Sequence, residues 1–303
     1  MTVEELRDYC TKRGIVIGDE NEHILYTLAS FISEAQSTGK PLKHVLFIGA
    51  RGAGKTTMMR LYGGFASEYL EMGADNLNSI GTLRYYVVNL DDNGALGIDE
   101  FHKIKASGEQ LGEYMTDPET KVTIIGATMR PDRVSDFLRS RFYAELRILP
   151  YSTKTLKEIA MLRYPELEEE TAEFLAERCD GTPRDLVLKK IETLKAYAVM
   201  EEIDGKISVR LAEEFLERTG IDEMGLEPIH REYIRCLGES KNFQSSLNTI
   251  ASKLGLPSQE IESDIERRLV RMGFVEIGTR GRVLTEAGQK YYVKWLKRRE
   301  GDG

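Results

Sequence analysis

Apolar positions recur at helical spacing through residues 20–38 (ENEHILYTLASFISEAQST), and Gly39 and Pro41 close the run, so the pattern predicts a helix there. A short continuous apolar run, HVLFIG (44–49), follows at once and reads as a buried strand. It enters the glycine-rich GARGAGKTT (49–57), and TMMRLYGGFASEYL (57–70) then reads as helical. Further strands are expected in ALGIDEF (95–101), KVTIIGAT (121–128) and ELRILP (145–150). From 154 to 220 the pattern is helix upon helix: TLKEIAMLRY, ETAEFLAERC, PRDLVLKKIETLKAYAVM and VRLAEEFLERTG. Residues 226–238 and 243–255 are again helical, and 256–273 reads as a recognition-type helix with Ile261, Ile265 and Leu269 at i, i+4 and i+8. Two short alternating strands, FVEIG and RVLT, joined by TRGR, end the regular pattern, and helices followed by a small hairpin describe a winged helix. The expected organisation is an α/β domain with a parallel sheet over 1–150, an all-α region over 151–222, and a winged helix over 223–303.

Composition narrows the class. A chain of 303 residues exceeds the usual single domain, and 41% hydrophobic with 30% charged residues fits a globular protein. No apolar run is long enough to span a bilayer, and MTVEELRDYC has neither the basic start nor the apolar stretch of a signal peptide, so no membrane association is expected. Cys10, Cys179 and Cys236 lie far apart without CxxC pairing, which indicates neither a disulfide framework nor a zinc site and favours the cytoplasm. The net charge of −8 excludes a protein that coats nucleic acid with its whole surface. Between Arg280 and Arg299, however, seven basic residues face one acid, Glu286, and a local basic patch on an acidic body is how a protein touches DNA at one place.

The strand, glycine-rich loop and helix around residues 44–70 are the context in which GxxxxGK[ST] is a phosphate-binding loop. Gly49, Gly52 and Gly54 let backbone N–H groups converge on a phosphate, and the helix that follows adds its positive end. Lys55 would neutralise the β- and γ-phosphates, the Thr56 hydroxyl would ligate Mg²⁺, and Arg51 reads as solvent-facing. The implied ligands are ATP and Mg²⁺. Asp99 and Glu100 stand at the C-terminal end of a buried strand, the end that faces the ligand crevice in an open α/β sheet. There Asp99 would hold Mg²⁺ and Glu100 would act as base or orienter for the attacking water. Arg139 and Arg141 fall at a helix end before the next strand, and GTPR (181–184) opens a helix with Pro in its first turn and Arg184 behind it. At the wing, Arg280 and Arg282 flank Gly281, where both guanidiniums are expected to reach phosphates.

Taken together, these segments resemble the RuvB family of AAA+ branch-migration motors over nearly the whole chain. The likeness rests on PLKHVLFIGARGAGKTT (41–57), NLDDNGALGIDEFHKI (89–104), IIGATMR (124–130), LRSRF (138–142), DGTPRDL (180–186), GIDEM (220–224) and MGFVEIGTRGRVLTEAG (272–288). It implies an AAA+ P-loop domain, a helical lid, a winged helix on double-stranded or branched DNA, and a hexameric ring. On this resemblance Lys55 and Thr56 form the Walker A pair, Asp99 and Glu100 the Walker B pair, Arg141 the arginine finger offered to a neighbour, and Arg184 the lid's sensor arginine. Ala53 and Thr57 in the loop, and Ile17 ahead of it, join the glycines as expected nucleotide contacts.

The chain departs from that pattern at three places. Only FHKIKASGEQLGEYMTDPETKVTI separates Glu100 from Ile125, which leaves room for a helix and a turn but not for the family's long hairpin, so the resemblance does not extend to a RuvA-type partner. Met129 stands where many AAA+ proteins carry Asn, leaving Thr128 as the nearest hydroxyl, and Ala50-Arg51 replaces the family's Pro-Pro in the loop. Two functional classes follow: an ATP-driven DNA translocase, or an ATPase switch or loader of phage or mobile-element type that assembles on DNA and recruits or remodels a partner.

Overall fold

The computed structural model describes residues 1–105 and 107–301, with side chains as far as residue 297. The chain divides into two compact units, Met1–Ala176 with Gly181–Lys195, and Glu177–Asp180 with Ala196–Gly303.

In the first unit α1 (Val3–Thr11) starts from a capping box, in which the Thr2 hydroxyl accepts from the Glu5 N–H and the Glu5 carboxylate accepts from the Thr2 N–H. Helix α2 (Glu22–Thr38) ends at Gly39, which takes the left-handed conformation that closes a helix without Cβ strain. Just before α2, Asn21 clasps the chain at Leu149: its amide donates to the Leu149 carbonyl at 3.1 Å and its oxygen accepts from the Leu149 N–H at 2.8 Å. The strands and helices that follow are β1 (Val45–Gly49), α3 (Lys55–Gly63), β2 (Tyr69–Gly73), α4 (Ile80–Asn89), β3 (Ala95–Asp99), α5 (Gly108–Thr116), β4 (Thr123–Thr128), α6 (Asp136–Arg139) and β5 (Ala144–Ile148).

All five strands are parallel, in the order β2-β3-β4-β1-β5. Their apolar runs are continuous rather than alternating because both faces of the sheet are covered, and Val45 to Phe47, Leu96 and Ile125 are fully buried. The chain leaves β1 for the far edge at β2 and returns through β3 and β4, then crosses to β5 on the other side of β1. Chain direction therefore reverses beside β1, and the C-terminal ends of β1, β3 and β4 border the crevice where such sheets bind ligands. Beneath that rim, His44 is buried between the Met115 carbonyl (3.1 Å) and the Ile124 N–H (2.9 Å), and burial pushes its pKa down to about 4. Helices α7 (Thr153–Arg163) and α8 (Glu169–Glu177) follow, then a π-helical turn (Asp185–Ile191) running into α9 (Glu192–Met200).

The second unit carries α10 (Val209–Arg218), α11 (Pro228–Gly238), β6 (Gln244–Ser245), α12 (Leu247–Leu254), α13 (Ser258–Glu260), a π-helical turn (Ile261–Glu266), α14 (Arg267–Arg271), β7 (Val275–Gly278), β8 (Gly281–Leu284) and α15 (Glu286–Gly301). Its antiparallel sheet has the order β6-β8-β7. Ile261, Ile265 and Leu269 face a core shared with Tyr233, Ile250, Val275 and Leu284, as their spacing requires.

Two segments differ from the sequence reading. The helix expected over 57–70 stops at Gly63, because Tyr69 packs there so closely that a Cβ on Gly63 would stand 2.2 Å from its ring, and Tyr69 already belongs to β2. The helix expected from 243 begins at Leu247, because Gln244 and Ser245 pair with Val283 and Arg282 as an edge strand and Ser246 caps the helix.

Candidate functional site

The loop from Gly49 to Lys55 is shaped by two glycines that no other residue could replace without strain. Gly52 and Gly54 have φ of 79° and 91°, and a Cβ on Gly52 would stand 2.6 Å from the Cβ of Arg184. That close approach puts GTPR against the loop: the Arg184 N–H donates to the Gly52 carbonyl at 3.3 Å. Helix α3 starts at Lys55, so its unpaired N–H groups and the positive end of its dipole lie at the loop. Lys55 is buried, 8% exposed, and its ammonium donates to the Ala50 carbonyl at 2.8 Å, which holds a cation inside the loop. Ala53 is buried under the loop, Thr57 is half-buried on α3, and Ile17 is buried with its carbonyl accepting from Arg7 at 3.1 Å.

Across the rim, the Thr56 hydroxyl donates to Asp99 Oδ2 at 2.9 Å, and Asp99 Oδ1 accepts from the Glu100 N–H at 2.8 Å. The strand end turns sharply: Glu100 sits at φ 53°, ψ 41°, a left-handed conformation that costs a non-glycine residue about 1–2 kcal/mol. That turn leaves the Glu100 carboxylate 39% exposed at the rim, with His102 Nε2 3.5 Å from it. On the neighbouring strand Thr128 is fully buried; its Oγ1 accepts from the Arg130 N–H at 3.0 Å and lies 3.0 Å from His102 Nδ1. His102 joins the candidate residues only through the fold. Its one sequence signal is its place in the short turn after Asp99 and Glu100.

The two arginines at the end of α6 separate by partner. Arg139 is held by Glu145 through two bonds of 2.7 Å. Arg141 stacks 3.5 Å over the Phe137 ring and donates to the Gly112 carbonyl at 3.0 Å and to the Phe137 carbonyl.

At the wing the expectation for Arg280 and Arg282 divides. Arg280 is exposed in the turn between β7 and β8, where its carbonyl accepts from Gln244 at 2.8 Å. Gly281 beside it has φ 116°, and a Cβ there would meet the Ser245 carbonyl oxygen at 2.5 Å. Arg282, by contrast, is not exposed for phosphates. Its side chain is 13% exposed and lies along the π-helical turn, donating to Glu266 at 2.8 and 3.1 Å and to Glu262 at 3.1 Å. Arg280 lies in the turn, where strand alternation does not apply, whereas Arg282 stands within β8 opposite Ile277 and turns onto the helical side to meet Glu266 and Glu262. Of the C-terminal basic run, Lys290 pairs with Glu286 and Lys294 with Glu223, while the side chains of Arg298 and Arg299 lie outside the described residues.

The model of the Holliday junction DNA helicase RuvB P-loop domain matches residues 16–119, and that of the RuvB C-terminal winged helix domain matches residues 223–293. The Holliday junction branch migration complex subunit RuvB of Solibacter usitatus is 31% identical over 300 residues, 91% of this chain and 87% of that protein. The chain belongs to the RuvB family. The RuvB of the Wolbachia of Brugia malayi is 30% identical over 88% of this chain and 89% of that protein. The solved structure of the Thermotoga maritima RuvB Holliday junction branch migration motor superposes with a TM-score of 0.82 at 28% identity, covering 91% of this chain and 94% of that one. Fold and lineage agree: this RuvB-family chain has an AAA+ nucleotide-binding domain and a winged helix, and it is an ATP-dependent DNA motor.

Within that family frame, the departures read from sequence take a structural form. Between Asp99 and Thr123 the described residues form a 3₁₀ turn (Phe101–Lys103), α5 and a loop, with no strand and so no hairpin. Met129 is half-buried, and its thioether can donate no hydrogen bond.

Proposed function

We propose that this RuvB-family protein hydrolyses ATP at a site shared between subunits of a hexameric ring and uses the energy to drive branch points along duplex DNA. The observation that carries the reading is the convergence of three chain segments on one crevice: the loop ending in Lys55 and Thr56, the Asp99–Glu100 strand end, and the Arg184 turn. We divide the chain into a nucleotide-binding region to residue 150, a helical lid to 222 and a winged helix beyond.

In this mechanism the loop N–H groups from Gly49 to Gly54 and the N-terminus of α3 bind the β-phosphate. The Lys55 ammonium exchanges the neutral Ala50 carbonyl for phosphate oxygens, a charge-assisted partner about twice as strong. Thr56 and Asp99, already 2.9 Å apart, are a hydroxyl and a carboxylate, the oxygen donors that suit Mg²⁺, and they would hold it. The ion supplies neutralisation of the charge that develops on the transferred phosphoryl group. Glu100, exposed at the rim, accepts a hydrogen bond from the attacking water and orients it. Arg184, held against the loop by its own backbone, senses the γ-phosphate in cis, Arg141 reaches the site of a neighbour, and Ala53, Thr57 and Ile17 complete the nucleotide's surroundings.

DNA contact in the winged helix runs through the wing tip at Arg280. The first half of the helical run from Ser258 carries Glu260, Glu262 and Asp264, a set that repels phosphates and argues against this helix reading a groove. Similarity to branch-migration subunits along nine-tenths of the chain supports a motor over a loader or switch. The test is strand separation from a four-way junction with homologous, mobile arms by the purified protein. ATP-dependent separation there, with none by the Glu100→Gln variant, is expected. DNA-stimulated hydrolysis with no separation at any protein concentration would favour the loader.

A further inference from the structure

We propose that His102 is the positioning residue for the Glu100 carboxylate and that it passes the position of β4 to it through Thr128. The proposal rests on the reading of Glu100 given above.

The geometry forms a chain of three side chains. The Thr128 hydroxyl oxygen accepts from the Arg130 N–H at 3.0 Å and lies 3.0 Å from His102 Nδ1, and His102 Nε2 lies 3.5 Å from Glu100 Oε2. Hydrogen-bond inventory fixes the polarity of that chain. An ionised carboxylate only accepts, so a neutral imidazole that serves Glu100 must carry its proton on Nε2. Nδ1 is then an acceptor, and the Thr128 O–H is the donor that saturates it. Burial of the ring, 9% exposed, favours the neutral form and lowers its pKa from the usual histidine value. The Arg130 backbone N–H, just past the end of β4, thus orients Thr128, Thr128 sets the tautomer, and the tautomer points one N–H at the carboxylate.

The surroundings leave this task to His102. Register pairs Asp99 with Gly73, so the residue directly opposite it on the neighbouring edge strand has no side chain. On the other side, Met129 follows Thr128 with a thioether in place of a donor. Glu100 stands in a left-handed turn at the rim, where a carboxylate has rotamer freedom unless a neighbour restricts it. A 3.5 Å separation is long for a finished bond, and catalytic hydrogen bonds tighten when the nucleotide is in place.

The test uses the full-length protein and ATP turnover, with nucleotide affinity measured separately by a fluorescent ATP analogue. His102→Ala is expected to lower kcat about 10- to 100-fold, the usual effect of removing the partner that orients a functional ligand, while analogue affinity stays within about twofold. His102→Gln places an amide N–H near the Nε2 position and is expected to retain more kcat than His102→Asn, whose amide falls near Nδ1. Thr128→Val is expected to lower kcat in the same direction, and its effect should not add to that of His102→Ala in the double variant. A ranking in which Gln and Asn are equal to Ala, with all three lowering thermal stability and analogue affinity, would mean that the ring only fills space, and the proposal would be wrong. Additive effects of Thr128→Val and His102→Ala would equally overturn the relay. Glu100→Gln run in parallel separates the two readings: if it abolishes turnover while His102→Ala turns over at the wild-type rate, the inference fails and the site stands. If Glu100→Gln turns over normally, the assignment of Glu100 itself fails.

Discussion

Truncating Arg282 should destabilise the winged-helix unit rather than release DNA. The guanidinium makes two bonds to Glu266, at 2.8 and 3.1 Å, and one to Glu262 at 3.1 Å, and the Glu266 carboxylate is 2% exposed. Arg282→Ala leaves that carboxylate buried with the neutral Tyr233 hydroxyl at 2.8 Å. Removing one partner of a buried ion pair costs about 3–5 kcal/mol, and because Arg282 keeps 13% of its exposure the lower end, about 3 kcal/mol, applies. The chain's single tryptophan, Trp295, packs against the core of this unit, so its fluorescence reports this unfolding and not that of the nucleotide-binding unit. With a urea slope of about 2 kcal/mol per molar, the Trp295 midpoint should fall by roughly 1.5 M. Adding Glu266→Gln to an Arg282→Met variant should recover much of the loss, because no charge then remains buried and Gln still accepts from Tyr233. A wild-type midpoint for Arg282→Ala, together with DNA binding that loses one phosphate contact in its salt dependence, would refute the argument and return Arg282 to the DNA-facing surface.

Arg280→Ala should weaken binding equally on unrelated duplexes and reduce the slope of log K against log salt by about 0.9, measured by anisotropy titrations across a salt series; an unchanged slope would remove the wing tip from the interface. Lys55→Ala should lose nucleotide binding, whereas Glu100→Gln should keep ATP bound and lose turnover, as read by equilibrium binding and phosphate release side by side. Mixing Arg141→Ala with Lys55→Ala protein should restore part of the ATPase, since a mixed interface pairs an intact loop with an intact arginine; no rescue in mixtures shown to co-assemble would count against a shared site. His44 supplies the acid limit of the nucleotide-binding unit. Its folded pKa of about 4 lies below the ordinary histidine value of 6.5, so the unfolded chain takes up the proton first as pH falls, and stability is full above 6.5 and declines from there to 4. That difference is worth about 3 kcal/mol, and His44→Gln should flatten that part of an unfolding-versus-pH curve.

The sheet and its loop were legible because both signals are local. A parallel strand buried on two faces reads as a short apolar block, and the loop's glycines, lysine and threonine are consecutive in sequence. The edge strand Gln244–Ser245 was not legible, since two residues carry no period and only pairing with β8 makes them a strand. Arg282 misled for a different reason. Its acidic partners lie 16 and 20 residues upstream, and only the register of the hairpin shows that the side chain turns toward them. His102 and Thr128 are 26 residues apart and meet because β3 and β4 are neighbours, which no motif spacing records.

The choice between the two arginines at the end of α6 comes down to what each would give up. For Arg139 to leave, it must separate two 2.7 Å charge-assisted bonds and strand Glu145, whose carboxyl the guanidinium holds below its usual range. Arg141 would give up two neutral carbonyls and a ring, and the stacking at an exposed site is worth about 0.5–1 kcal/mol. A γ-phosphate offers bonds to a charged acceptor worth about 1.5–3 kcal/mol each, so the exchange favours Arg141 and opposes Arg139. The resting perch is also specific in shape. A Cβ on Gly112 would stand 2.3 Å from the Phe137 ring and 3.0 Å from Arg141 Nε, so the absence of a side chain at that position is what lets the guanidinium lie flat. Arg139, tied to Glu145 at the start of β5, fixes the corner that Arg141 follows two residues later. If Arg141 is the arginine offered to a neighbour, as proposed, it would leave from this anchored corner by rotation of its own side chain.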